Sequence, residues 1–174
     1  MPDLAALETV VKTAEARGLS VLLIGAFARE IIFDQLVAGK PYRATRDVDI
    51  SVRVPGWDAY HSLITTLQTT GFTKLAEHKL RHKDGTEIDL LPFGAVVDEN
   101  QQLTWPGGHV MSMDGFESAD THSKPRDIGG VGLRVVNLPG LITLKLFAFK
   151  ERGHETPSRD LRDLSYILIM LLMF

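Results

Sequence analysis

Residues 46–54 read R-D-V-D-I-S-V-R-V, and residues 86–92 read T-E-I-D-L-L-P. A β-strand turns successive side chains to opposite faces. In the first run Asp47, Asp49 and Ser51 therefore share one face, while Val48, Ile50, Val52 and Val54 share the other, toward a core. In the second run Glu87 and Asp89 share a face, with Ile88 and Leu90 opposite. Carboxylates two residues apart on one face repel each other unless a cation lies between them. Hard oxygen donors of this kind suit magnesium, or manganese in its place, bound by a few carboxylates plus the phosphates of a substrate. The pattern points to metal-dependent phosphoryl or nucleotidyl transfer.

Working outward, the chain before this strand reads as helix, strand, turn and helix. Leu4, Leu7, Val10, Val11 and Ala14 fall at helical spacing, and Gly18 stops them. Ser20 to Ile24 is a short apolar strand broken by Gly25. A helix is expected from Ala26 to Ala38, then a basic loop holding Arg43 and Arg46. A glycine at such a turn lets a phosphate approach the backbone, and the following helix N-terminus attracts anions.

Downstream, Pro55-Gly56 turns the chain, and Trp57, Tyr60, Leu63, Ile64 and Leu67 make the stripe of another helix. Phe72–Leu75 and Lys79–Arg81 read as short strands, with Asp84-Gly85 as a hairpin signal before the Asp89 strand. Residues 94–130 carry many turn formers and are expected to hold short strands and loops. Leu133–Val136 is a strand, Pro139 opens a helix as its first residue, and Pro157-Ser158 opens the last one. The order suggests an α+β fold, a mixed sheet with helices packed on it.

With 174 residues, 44% of them hydrophobic, the chain is expected to form one domain over 1–174. Its net charge of -3 gives no bulk attraction to nucleic acid or anionic membrane. No cysteine is present, so disulfides and thiolate metal sites are excluded, and a cytoplasmic location is expected. The terminal run Y-I-L-I-M-L-L-M-F falls short of the ~20 residues that span a bilayer. It reads as a helix buried against the domain, or one cut short of a longer chain, rather than as a membrane anchor. The six histidines show no metal-binding spacing, and no phosphate-binding G-x-x-x-x-G-K-[ST] occurs.

The combination L-L-I-G-A, D-V-D-I and E-I-D-L-L resembles the nucleotidyltransferase superfamily, which shares its fold with DNA polymerase beta. The further stretches G-A-F-A-R-E, R-A-T-R-D-V-D-I, I-D-L-L-P-F-G, L-P-G-L-I-T-L-K-L-F-A-F and S-R-D-L-R-D-L are similar to stand-alone bacterial nucleotidyltransferases of the AbiEii toxin type. The resemblance implies a nucleotidyltransferase-like mixed sheet flanked by helices. It implies that Asp47 and Asp49 hold magnesium together with the triphosphate of an NTP, and that Asp89 joins them and takes the proton of the acceptor hydroxyl. Gly25 and Ala26 would meet the phosphates. Ala26 stands where many superfamily members have Ser or Gly, so a hydroxyl contact is missing and backbone N–H contacts remain.

By the same resemblance Lys145 lies near the nucleotide; its other reading is a stem that covers apolar surface while its ammonium reaches water. Asp160 either pairs with Lys145 or steers the acceptor, and the helix dipole gives both Asp160 and Asp163 an alternative, structural role. Arg43 could meet phosphate or an RNA acceptor, and Arg46 is read as structural. The implied partners are an NTP, an RNA or protein acceptor and an antitoxin. Two other readings keep the same fold: an enzyme that modifies antibiotics, for which Asp98-Glu99 would supply acidic recognition, and a degenerate interaction protein suggested by Ala26 and the apolar end.

Overall fold

The computed structural model describes residues 4–34, 47–152 and 157–173. The expected basic loop with Arg43 and Arg46, and the last turn of the helix expected to reach Ala38, lie outside them. The first helix, α1 (Leu4–Glu15), buries Ala6, Leu7, Val10, Val11 and Ala14. Gly18 then takes a left-handed backbone conformation, φ +67°, that lets the chain reverse. It enters β1 (Ser20–Ile24), which passes at Gly25 into α2 (Gly25–Asp34).

The strand of the acidic pair is β2 (Asp47–Val54), followed by α3 (Trp57–Thr69), β3 (Phe72–Lys74), β4 (Lys79–His82) and β5 (Glu87–Gly94). These strands form most of a seven-stranded mixed sheet in the order β3-β4-β5-β2-β1-β9-β8, closed by β8 (Lys124–Ile128) and β9 (Val131–Val135). β2 lies at its centre, antiparallel to β1 and parallel to β5. The alternation read from sequence holds: Val48, Ile50, Val52, Ile88 and Leu90 are each buried to within 1% of complete, and Asp47, Asp49, Glu87 and Asp89 retain solvent access. Ser51, on the acidic face, is fully buried, so it separates the carboxylates at the Asp47/Asp49 end from the partly exposed Arg53 at the other.

Helices α1 and α3 pack together beside the sheet. The Tyr60 hydroxyl of α3 lies 2.9 Å from the Leu90 carbonyl and 3.0 Å from that of Glu77, fixing the helix behind the Asp89 strand. Residues 95–123 form a two-stranded sheet of β6 (Gln102–Thr104) and β7 (Val110–Ser112), plus the short α4 (Phe116–Thr121), a helix where the turn formers point only to short strands and loops.

The last two helices are α5 (Leu138–Arg152) and α6 (Pro157–Leu172), packed on each other. Asn137 caps α5, whose first residue is Leu138 rather than Pro139: the Asn137 side-chain oxygen accepts from the Gly140 N–H at 2.9 Å and its carbonyl from the Leu141 N–H. α6 is not buried as a whole. Ile167 is 1% exposed, whereas Leu168 and Ile169 are more than half exposed. No helix among the described residues is long and apolar enough to cross a membrane.

Candidate active site

Parallel pairing places Asp49 directly beside Asp89, and Asp47 beside Glu87, on one face of two adjacent strands. Ile24, the last residue of β1, pairs with Asp49 from the other side. Gly25 therefore begins α2 against the Asp49 carboxyl. A Cβ at Gly25 would lie 2.0 Å from Asp49 Oδ2 and 2.8 Å from its Cβ, and the backbone there has φ +72°. Glycine is demanded twice over, by the close approach and by the left-handed conformation.

Gly25, Asp49, Asp89, Lys145 and Asp160 line one cleft of about 450 Å³, walled by β7 and α5. Its other polar lining includes His78, His109, Ser112, Asp114, Glu151 and Arg152, over an apolar floor with Phe116, Leu144 and Phe147. Five of the seven candidate residues read from sequence thus meet in one place. Asp47 stands at the exposed start of β2, and Ala26, next to Gly25, is not among the lining residues. Asp98 and Glu99 are not there either. The Asp98 carboxylate instead accepts from the Asn100 and Gln102 N–H groups of its own turn. Asp114 and Glu151 add further acidic groups to the lining, beside Arg152 and His109.

The electrostatics of the carboxylates are unequal. Burial, and next the Asp89 carboxylate alongside, push Asp49 up to about 6; Lys145 and Lys79 oppose this and Asp47 adds to it. Lys79 Nζ lies 3.0 Å from Asp89 Oδ1 and 3.4 Å from Glu87 Oε2. Burial works against its charge, yet Asp89 and Glu87 outweigh this and hold the ammonium above the ordinary lysine range. Asp89 Oδ1 is buried and receives no hydrogen bond of good geometry, so the Lys79 contact is an ion pair. Among the described residues no three His, Asp or Glu side chains are already gathered at metal-binding distance. The structure supplies a carboxylate pair, with Asp47 nearby.

Lys145 is held by α6. Its Nζ lies 2.7 Å from Asp163 Oδ2 and 3.3 Å from Asp160 Oδ1, and its side chain is 17% exposed. Asp163 also takes a hydrogen bond from Arg29 of α2, which is 2% exposed and stacks over the Tyr166 ring. Both aspartates of R-D-L-R-D thus face the cleft side of α6 and bind cations there, beyond any interaction with the helix dipole. Arg29 and Lys79 were not singled out from sequence. Arg29 is an arginine on the apolar side of a short helix, a signal in itself. Lys79 alternates with buried Leu80, which puts it on the carboxylate face.

Asp163→Asn should lower the unfolding free energy by about 3 kcal/mol, because it removes the nearer of the two carboxylates at the buried Arg29 guanidinium and leaves Glu30 at 3.9 Å. Urea denaturation measures this. A change under ~1 kcal/mol would show that Arg29 is satisfied without Asp163.

No protein-family model matches the chain, and no curated protein matches it by sequence. Solved structures do match. An antigenic nucleotidyltransferase-like protein from Paracoccidioides brasiliensis aligns with TM-score 0.58 and 16% identity over 95% of this chain and 75% of that one. The lincosamide antibiotic adenylyltransferase LnuA, solved with lincomycin bound, aligns with TM-score 0.58 and 14% identity over 97% of this chain and 98% of that one. ANT(2'')-Ia in complex with adenylyl-2''-tobramycin aligns with TM-score 0.51 and 14% identity over 96% and 88%. At such identities the likeness is one of architecture, and it establishes that this chain has the nucleotidyltransferase fold.

Proposed function

We propose that the protein is a nucleotidyltransferase that moves an NMP from an NTP to a hydroxyl of an acceptor. The observation that carries this reading is the abutment of three elements: the Gly25 turn into α2, Asp49 packed against it, and Asp89 paired with Asp49. A turn that brings a helix N-terminus onto two carboxylates joins a phosphate-binding feature to a cation-binding one.

The donor set fits a divalent cation. Its oxygens are hard carboxylates, Asp89 Oδ1 is buried with only the Lys79 ammonium against it, and burial and the adjacent Asp89 carboxylate push Asp49 up to about 6. Asp49 and Asp89, with Asp47, are the residues to hold magnesium or manganese. When bound, the ion would neutralise charge on the triphosphate and its leaving pyrophosphate. The chain's own groups do the rest. The N–H groups opening α2 meet phosphate oxygens at Gly25 and Ala26, where only backbone contact is offered. Lys145, fixed by Asp160 and Asp163, presents positive charge to the same phosphates. The acceptor oxygen attacks the α-phosphorus, the bond to the β-phosphate oxygen breaks, and the hydroxyl proton passes to the Asp89 carboxylate. Catalysis of this kind is mostly positioning and charge neutralisation.

The cleft favours a small acceptor. Its volume of about 450 Å³ and the carboxylates of Asp114, Glu151 and Asp160 in its lining suit a neutral or cationic hydroxyl compound more than an RNA backbone. Lincomycin and a tobramycin adduct occur in two structures of the same fold. Incubating the protein with magnesium and each α-labelled NTP, plus aminoglycosides, lincosamides, total RNA or total protein, tests both levels. Label on a small acceptor is expected. Label on RNA or protein would instead support the acceptor implied by the AbiEii-type resemblance, with its antitoxin partner. No transfer and no NTP binding would remove the enzyme reading.

Metal loading should depend on pH. Because Asp49 titrates near 6, a divalent cation must displace its proton below that value. The apparent affinity for manganese should fall about tenfold per pH unit below 6 and level off above 7. Calorimetry across pH 5–8 checks this, and a flat profile would contradict the assignment of Asp49.

A further inference from the structure

Lys79 is the register partner of Asp89 on β4, as Asp49 is on β2. Asp89 therefore lies between a carboxylate on one side and an ammonium on the other. The Lys79 side chain is 28% exposed, and its Nζ contacts Asp89 Oδ1 at 3.0 Å and Glu87 Oε2 at 3.4 Å. The two ammonium groups bordering the carboxylates are held differently. Lys145 is tied on α6 by Asp160 and Asp163, and those aspartates are not part of the carboxylate pair. Lys79 is tied by Asp89 itself. A lysine stem is long and flexible, and Lys79, Asp89 and Glu87 each keep about a quarter of their side chains exposed, so this ammonium can exchange partners.

We propose that Lys79 is a resident counter-ion of the carboxylate site, holding Asp89 in the metal-free protein and yielding it when a divalent cation enters. The proposal rests on the nucleotidyl-transfer reading above. A free cation must compete with Lys79 for Asp89 and meets its positive charge at short range, so it binds weakly. A cation arriving with a triphosphate brings the negative charge that Lys79 can turn to. Lys79 is thus a positioning residue that favours the loaded nucleotide over the bare ion.

The test is titration of the full chain with manganese alone, at pH 7.5, with free ion followed by electron paramagnetic resonance. Lys79→Met and Lys79→Gln are expected to bind manganese at least tenfold more tightly than the wild type. Lys79→Arg, which keeps the charge, should stay within about threefold of the wild type. In an Asp89→Asn background, Lys79→Met should give no gain. Melting curves show that each variant is folded, and Lys79→Gln, which keeps a polar end, serves should Lys79→Met fail to fold. Unchanged or weaker binding in a folded Lys79→Gln would overturn the proposal and leave the metal site standing. Binding of manganese to none of the proteins would overturn it together with the metal reading.

Discussion

Asp49→Asn should lose nucleotidyl transfer by at least about 1,000-fold, since several kcal/mol of charge stabilisation at the phosphates disappears. The same substitution should make the metal-free protein more stable. Asp49 titrates near 6 in the fold against 3.8 in an unfolded chain. Between those values the folded protein keeps a proton that the unfolded chain has released. Stability therefore falls as pH rises from about 4 to 6, and the whole deficit is present above 6. At 1.36 kcal/mol per pH unit the deficit is at most about 3 kcal/mol. Asparagine carries no such penalty. In magnesium-free buffer at pH 7.5 the variant should melt about 3–8 °C above the wild type. The gain should vanish below pH 4, and magnesium should raise the wild type alone. Loss of activity together with loss of stability would mean that Asp49 holds the fold rather than a cation.

Gly25→Ala is the second large effect. The added methyl meets the Asp49 carboxyl at 2.0 Å and its Cβ at 2.8 Å, so rotation of the carboxyl alone does not relieve it. The backbone at φ +72° adds about 1–2 kcal/mol for a non-glycine residue. Either β1 and β2 shift or Asp49 leaves Asp89. We expect a drop in stability of ~2–4 kcal/mol and a loss of transfer of at least about 100-fold, in line with the sensitivity of such sites to ångström displacements. Ala26→Ser makes a useful contrast. It adds a hydroxyl without disturbing Asp49, and it should leave stability unchanged and raise NTP affinity. Near-normal transfer by Gly25→Ala would separate the Gly25 turn from the phosphates.

The parts legible in the sequence were those governed by local periodicity. Alternation placed Asp47 and Asp49 opposite a core of Val48, Ile50 and Val52, and the same rule placed Asp89 on its strand. Those are short-range consequences of strand geometry. What alternation does not supply is which strands are neighbours: that Asp49 and Asp89 lie side by side depends on a parallel pairing across forty residues. The Lys79 contact was nearer to hand. The hairpin closes through Lys83-Asp84-Gly85, with the His82 N–H donating to the Thr86 carbonyl and Gly85 at φ +92°. A two-residue Asp84-Gly85 turn would set Leu80 against Asp89, burying a leucine opposite a carboxylate. Only the three-residue loop keeps Leu80 opposite Ile88, and it brings Lys79 to Asp89.

Other features depended on tertiary packing. The cleft wall of Asp114 and Glu151 forms because Glu151 accepts from the Ser112 N–H at 2.7 Å, joining α5 to β7. The apolar end of the chain reads as a helix buried against the domain or cut short of a longer chain; α6 turns Asp160 and Asp163 to the cations, buries Ile167 and leaves Leu168 and Ile169 exposed. Composition could not distinguish those faces, because most residues of the run are apolar.

Calorimetric titration of each of the four NTPs, with and without magnesium, into the wild type and Asp49→Asn tests the account most directly. It predicts that at least one NTP binds the wild type only when magnesium is present, and that this binding is absent from a folded Asp49→Asn. Binding of no NTP, or binding that is the same without magnesium and in Asp49→Asn, would contradict it.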